Sequence, residues 1–343
     1  MSDVLARVRL TRRRLLAAAP VAAAGLRPLA VRAQPGTPAT AGGEGWTFTD
    51  DRGITLNLPE MPTRIVAQTT SAAALWDLGI RSVAIFGPSR NPDGTPDFQA
   101  GNIDLDAVEV VGDYGQMDLE KLVALQADLY VDLTYSGTLW YLGETEEQVR
   151  RIVPTLGISM QRRSILEAIK RFEDLAAALG ADLQAPAIVD AKQRFSATES
   201  VLKQAIAAKP NLSVVVVSPT VDNVYVASPS WIVDLHYLRD IGLNIIDPAP
   251  VAESTPEHDD KAFTLISWEQ IGQYSADIIL VDARISPEDL QKFSSNDLWN
   301  ALPAVQAGQV GKWYAAAPYS YDRLVPILEE LTALIQTARA DLV

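Results

Sequence analysis

The sequence predicts an α/β protein built as two Rossmann-like lobes with parallel sheets, joined by one long interdomain helix. Three observations carry that prediction. Short β-branched or apolar runs alternate with amphipathic helical stretches along most of the chain, the order that calls for a parallel sheet covered by helices. Residues 187–208 carry Ile188, Ala191, Phe195, Val201, Leu202 and Ala205 largely at helical spacing, with no internal Gly or Pro. A helix-and-strand unit also occurs twice. Asp118-Leu119-Glu120-Lys121-Leu122 leads to Ala127-Asp128-Leu129, and Ser267-Trp268-Glu269-Gln270-Ile271 leads to Ala276-Asp277-Ile278, with the glutamate eight residues before the aspartate in both copies. Two related lobes facing each other across a cleft follow from that repeat.

Residues 1–33 have the tripartite layout of an export signal and stand outside the fold. A basic stretch ends in Thr11-Arg12-Arg13-Arg14-Leu15-Leu16, an apolar stretch follows over 15–26, and small residues surround Val31-Arg32-Ala33. That apolar stretch is shorter than the roughly 20 residues a membrane span needs. The Thr-Arg-Arg-x-Leu-Leu run is similar to a twin-arginine signal, so a periplasmic or extracytoplasmic protein is expected. Residues 34–45, rich in Gly, Pro, Thr and Ala, read as a flexible linker. The N-terminal α/β lobe is expected over 46–186, with strands at 64–67, 82–86 and 128–133 and helices at 71–78, 118–126 and 148–153. The interlobe helix over 187–208 would be a rod of roughly 33 Å at 1.5 Å per residue, enough to cross between lobes. The C-terminal lobe over 209–343 is expected to hold strands at 212–217, 245–246 and 277–281. Its helices are expected at 231–241, 268–273 and from 322 to about 340.

Composition removes several function classes. The 343 residues contain no cysteine, which excludes disulfides, thiolate metal sites, a cysteine nucleophile and a lipid-modified cysteine. The net charge is −14, and the part after residue 33 keeps 22 basic and 42 acidic residues, so nucleic acid is not an expected partner. There is no Gly-x-Ser-x-Gly elbow, phosphate loop, dinucleotide fingerprint or His-Glu-x-x-His, and the chain reads as a non-enzyme. A secreted hydrolase of unrecognised type is the remote alternative. His236 and His258 are the only histidines, so no directly held metal is expected.

The chain resembles the periplasmic binding proteins for ferric siderophores, haem and cobalamin. The carriers are Phe48-Thr49-Asp50-Asp51-Arg52-Gly53, Pro62-Thr63-Arg64-Ile65-Val66-Ala67, Val111-Gly112 ahead of Asp118-Leu119-Glu120, Pro154-Thr155-Leu156-Gly157-Ile158, and the run from Leu298-Trp299 to Gln309-Val310. The resemblance implies a monomeric solute-binding protein of an ABC importer that delivers an iron chelate or similar bulky small molecule to the membrane permease. It implies no resident cofactor, iron entering only within the bound chelate. Glu120 and Glu269 match the glutamates that dock such proteins on the transporter. Both also stand in the first turn of a helix, where an acid is favoured by the helix dipole.

For the ligand, the resemblance places Tyr114 at a position that presents an aromatic or arginine. Tyr135 follows the repeated unit's strand, Lys261 and Phe263 precede Ser267, and Tyr319, Tyr321 and Arg323 fall around the start of the last helix. Arg90 and Trp231 lie in loops expected to point into the cleft. Aromatic faces grip a flat or chelated ligand, while phenols, Lys or Arg answer negative charge. The aromatic-rich loops are poor in cations, which favours a neutral chelate such as a hydroxamate complex, or a corrinoid. Cobalamin, haem and direct Fe(III) binding remain the alternatives.

Overall fold

The computed structural model describes residues 45–161, 163–248 and 262–343. The expected export signal, nearly all of the expected linker, and Lys261 lie outside the described residues. Among those described, no helix is long and apolar enough to cross a membrane.

The described chain opens with a hairpin of β1 (Trp46–Thr49) and β2 (Thr55–Leu58). The first lobe then follows as β3 (Ile65–Gln68), α1 (Thr69–Asp77), β4 (Ala84–Phe86), β5 (Glu109–Val110), the ribbon β6 (Gly112–Asp113) and β7 (Gln116–Met117), and α2 (Leu119–Ala124). It is completed by β8 (Leu129–Tyr135), β9 (Thr138–Leu139), α3 (Glu146–Ile152), β10 (Thr155–Ser159) and α4 (Ile165–Ala178). Its main strands lie in the order β10-β8-β3-β4-β5, all parallel. Every residue of β3 and β4 is buried, as expected of strands covered on both faces. The edge strand β10 is capped by the opening hairpin: Gly157 N donates to Asp50 at 3.0 Å and Ser159 N to Asp51 at 2.9 Å. Arg52 and Arg171 hold those two aspartates, so the Asp-Asp-Arg motif covers a sheet edge that would otherwise invite foreign pairing.

The connector α5 (Pro186–Ala207) starts on Pro186, a residue preorganised for the first helical position, and buries Ile188, Phe195, Leu202 and Ile206. The second lobe contains β11 (Ser213–Pro219), β12 (Asn223–Ala227), α6 (Val233–Asp240), β13 (Asn244–Ile245), β14 (Phe263–Ser267), β15 (Ile278–Asp282), α7 (Pro287–Ser294), α8 (Asp297–Asn300), α9 (Pro303–Gln306), β16 (Val310–Trp313) and α10 (Tyr321–Thr337). Its sheet is parallel-rich: β13, β11, β15 and β16 run together, β12 alone runs against them, and β14 pairs antiparallel with β12. Only residues 220–222 separate β11 from β12, too few for the crossover a parallel neighbour requires, so the chain turns back as a hairpin.

The duplicated unit is structural. In the first lobe Asp128 accepts from Thr63 N at 2.8 Å and Arg64 N at 2.9 Å, fastening the start of β3. In the second, Asp277 accepts from Ser213 N and Ser213 Oγ, both at 2.8 Å, fastening the start of β11. Each aspartate therefore ties a repeated strand to the strand beside it.

One apolar core runs through both lobes, taking in Ile65, Leu75 and Phe172, the connector's Phe195 and Leu202, and Val214, Leu235, Leu280 and Ile335. A polar junction reinforces it. Ser320 Oγ, at the N-cap of α10, donates to Asp77 of α1 at 2.5 Å. Asn102 donates to Asp77 at 3.0 Å and to Asp322 at 2.7 Å, and Arg194 of the connector pairs with Asp322. First lobe, connector and last helix thus meet at one point.

Candidate ligand-binding site

Strand ends position the site. In the first lobe, β4 ends at Gly87, the β6–β7 ribbon carries Tyr114 at its turn, and β8 runs into the tight β8–β9 turn that presents Trp140 and Tyr141. Ser136 and Gly137 supply the positive φ values, 51° and 81°, that a two-residue hairpin needs. In the second lobe, β15 ends at Asp282 with Arg284 beyond it, β16 ends at Trp313, and Asp234 stands in the first turn of α6. Ligand sites of α/β proteins gather at such carboxyl ends.

Tyr114 is the best-fixed aromatic. Gln68 caps α1 by accepting from Ser71 N at 3.0 Å, and its Nε2 donates to the Tyr114 hydroxyl at 2.6 Å. That hydroxyl donates to Gln99 Oε1 at 3.1 Å. Tyr114 lies 4.2 Å from Tyr141, centroid to centroid, and meets Phe86 edge-on at 6.1 Å. A Cβ at Gly87, whose φ is 119°, would come within 2.3 Å of the Tyr114 ring, so the glycine is what lets the ring lie there. Tyr135 meets Trp140 edge-on at 5.7 Å, and Trp140 is 44% exposed.

From the second lobe, Arg284 is gripped by Asp282 through Nε at 3.0 Å and Nη2 at 2.7 Å. Its charge acts on the phenols of Tyr114, Tyr135 and Tyr141, so it stands near the first-lobe aromatics. Tyr225, Phe263 and Trp313 form an aromatic strip with centroids 6.2 and 6.0 Å apart, and Trp313 Nε1 donates to Asp234 at 2.6 Å. Burial raises the pKa of Asp234. Burial also pushes the phenols of Tyr114, Tyr135 and Tyr319 well above their ordinary range and that of Tyr141 to about 12, with Arg284 opposing the last. All four are neutral hydroxyls near neutral pH.

Of the residues expected from the sequence, Tyr114 and Tyr135 stand in this group, and Phe263 belongs to its second-lobe strip. Tyr319 is buried and stacks on Phe172 at 5.9 Å, while its phenol still feels Tyr114, Tyr135 and Tyr141. Trp231 is half-buried just before α6. Three residues go elsewhere. Tyr321 packs on the connector through Phe195 and Lys192, and Arg323 donates to Asn102 at 3.1 Å in the polar junction, because both lie inside α10 rather than in the loop before it. Arg90 is exposed and paired with Asp106 at 2.8 Å, in a loop closed on itself by the Arg90–Pro96 bridge. Glu120 and Glu269 are exposed, one per lobe, in the first turns of α2 and of the 3-10 helix Trp268–Tyr274. The Ser267 side chain lowers the pKa of Glu269. Sequence reasoning passes over Arg284, Asp234, Trp313 and the Gln68–Gln99 pair. Arg284 had a signal: it follows the aspartate that ends the second repeated strand, much as Tyr135 follows Asp132 in the first.

Periplasmic binding proteins match the chain over residues 65–317. The chain belongs to that family. Among curated proteins no sequence matches. Among solved members of the fold, DesE, a ferric-siderophore receptor protein from Streptomyces coelicolor, is 36% identical over 86% of this chain and 99% of its own, with a TM-score of 0.79. SirA of Staphylococcus aureus, solved with staphyloferrin B, is 18% identical over 86% of this chain and 99% of its own, with a TM-score of 0.59. The catecholate-siderophore binding protein VctP of Vibrio cholerae is 19% identical over 85% and 99%, with a TM-score of 0.57. The two lower identities speak to the fold; DesE, with the family match, speaks to the family.

Proposed function

We propose that this periplasmic binding protein carries a ferric siderophore of low net charge to an ABC importer. The observation that carries the reading is the first-lobe cluster of Tyr114, Tyr141 and Tyr135, whose phenols all feel the charge of the ion-paired Arg284, together with the second-lobe aromatic strip of Tyr225, Phe263 and Trp313. Aromatic faces suit the apolar body of a chelate, and neutral phenols donate hydrogen bonds to its oxygens. The 36% identity to a ferric-siderophore receptor supports the same class. Binding and release involve no covalent step.

Glu120 and Glu269, exposed one per lobe, are the acids read as docking on the importer's permease, and the protein works as a monomer. Export is routed by Arg12-Arg13. A precursor with Arg12→Lys and Arg13→Lys should accumulate in the cytoplasm, and its normal appearance outside would refute the routing. The cargo is tested by titrating tryptophan fluorescence with a ferric trihydroxamate, a ferric tricatecholate, haem, a cobalamin and Fe(III) citrate. Tight binding of the trihydroxamate is expected; a response confined to haem, cobalamin or Fe(III) citrate would replace the siderophore reading.

A further inference from the structure

The pair Asp282–Arg284 is asymmetric. The Asp282 side chain is 1% exposed and that of Arg284 29%, so the carboxylate lies behind the guanidinium. Asp282 is fixed independently of the arginine side chain, accepting from Ser218 Oγ at 3.0 Å and from Arg284 N at 3.0 Å. It then grips the guanidinium at Nε and Nη2, and Nη1 makes no hydrogen bond among the described residues. Asp282 therefore both aims Arg284 toward the tyrosines and cancels its charge.

The other acids around the guanidinium point the same way. The Arg284 charge is felt at Asp234, a second carboxylate on the same wall. Of the arginines that the sequence offered for the cleft, Arg90 and Arg323 are engaged elsewhere. The pair Asp282–Arg284 thus displays a guanidinium whose charge is already offset.

We propose that Asp282 is the charge-selecting residue of the cleft: by pairing with Arg284 it admits ferric chelates of zero or positive charge and turns away polyanionic ones. The inference rests on the cleft being the chelate site. The chemistry separates the classes cleanly. Three monoanionic hydroxamates cancel Fe(III) and leave a neutral complex, whereas three dianionic catecholates leave it trianionic. Arg284 Nη1 can donate to an oxygen of either, but only an unpaired guanidinium would offset the trianion's charge on leaving water.

The test uses the exported chain without its leader, as wild type, Asp282→Asn, Arg284→Gln and the double variant. Fluorescence titrations with a ferric trihydroxamate and a ferric tricatecholate are run at low and high salt. Asp282→Asn, which preserves shape and can still accept from Ser218, should tighten tricatecholate binding about tenfold, with affinity that falls as salt rises. Trihydroxamate affinity should change by less than about threefold. The gain should disappear in the double variant, and Arg284→Gln alone should not produce it. Equal losses for both chelates, no change for either, or a gain that survives in the double variant would overturn the proposal and leave the cleft reading standing. Failure of the wild type to bind either chelate would overturn the cleft reading, and the proposal with it.

Discussion

Asp132 within β8 and Asp282 at the end of β15 stand in the two matched strands, yet their environments differ. Asp282 has a guanidinium; Asp132 is fully buried with Leu133 N at 2.7 Å and the Tyr130 hydroxyl at 3.1 Å. Burial raises the Asp132 pKa to about 8. The folded state therefore holds a proton that the unfolded chain, with an ordinary value of 3.8, has already released. The associated stability is complete below the unfolded value and is lost as pH rises from about 4 through about 8, with a limiting slope of about 1.4 kcal/mol per pH unit. Asp132→Asn should flatten that slope, leaving stability near wild type at pH 4 and above it at pH 9. Urea unfolding at the two pH values checks this, and an unchanged slope would assign the proton elsewhere. At Tyr114 the expectation concerns binding. Tyr114→Ala should weaken chelate binding by about 1–3 kcal/mol, the scale of a well-packed aromatic contact, with the fold intact. Gly87→Ala should reach a similar loss indirectly, because its methyl would occupy the place of the Tyr114 ring. Unchanged affinity in both variants would move the site.

At the scale of elements, the legible features were those written into local sequence. The connector expected over 187–208 spans Pro186–Ala207, because an uninterrupted amphipathic run behind a proline leaves few other conformations. The periodicity reading leaves out α4, although Ser164 and Glu167 form a capping box and Ile165, Ile169 and Phe172 share a buried face. The antiparallel course of β12 is set by a three-residue connection, and its pairing with β14 joins residues distant in sequence, neither of which a parallel repeat announces. The site divides the same way: strand-end loops betray Tyr114 and Tyr135, whereas Arg284 gains its meaning only when a second lobe is folded opposite them. The two repeated units also carry the docking prediction. Glu120 and Glu269 are exposed at helix starts and, among the described residues, make no hydrogen bond with the cleft tyrosines, so Glu120→Arg or Glu269→Arg should leave chelate affinity unchanged. If the two acids dock on the permease as proposed, each reversal of charge should cut reconstituted uptake by at least about tenfold, and the double variant should abolish it. Retained uptake would return both acids to the role of helix-start residues.

Across the whole molecule, the inner core and the Asp77–Asn102–Ser320 junction determine how the lobes respond to ligand. Phe172 of the first lobe stacks on Tyr319, α4 packs against α6 of the second, and α5 lies along α10, so neither lobe buries its inner face alone. Two consequences follow. Ligand should draw the lobes together by a small tilt about the connector rather than a wide swing, since a packed core resists continuous deformation. The lobes should also unfold together. Calorimetry of residues 34–343 is expected to show one transition whose calorimetric and van't Hoff enthalpies agree. A ligand held between the lobes should then move the whole transition, by about 2.7 kcal/mol at a hundred times its dissociation constant. At about 2 °C per kcal/mol, the value toward which larger domains tend, the midpoint should rise by roughly 5 °C with no second peak. Asn102→Ala sharpens the test, because it removes the donor shared by Asp77 and Asp322 and the acceptor of Arg323 while touching none of the cleft aromatics. It should lower the midpoint and broaden or split the transition, yet keep the ligand-induced shift. Two separate transitions in the wild type, only one of them moved by ligand, would show that the lobes fold independently and that the shared core does not couple them.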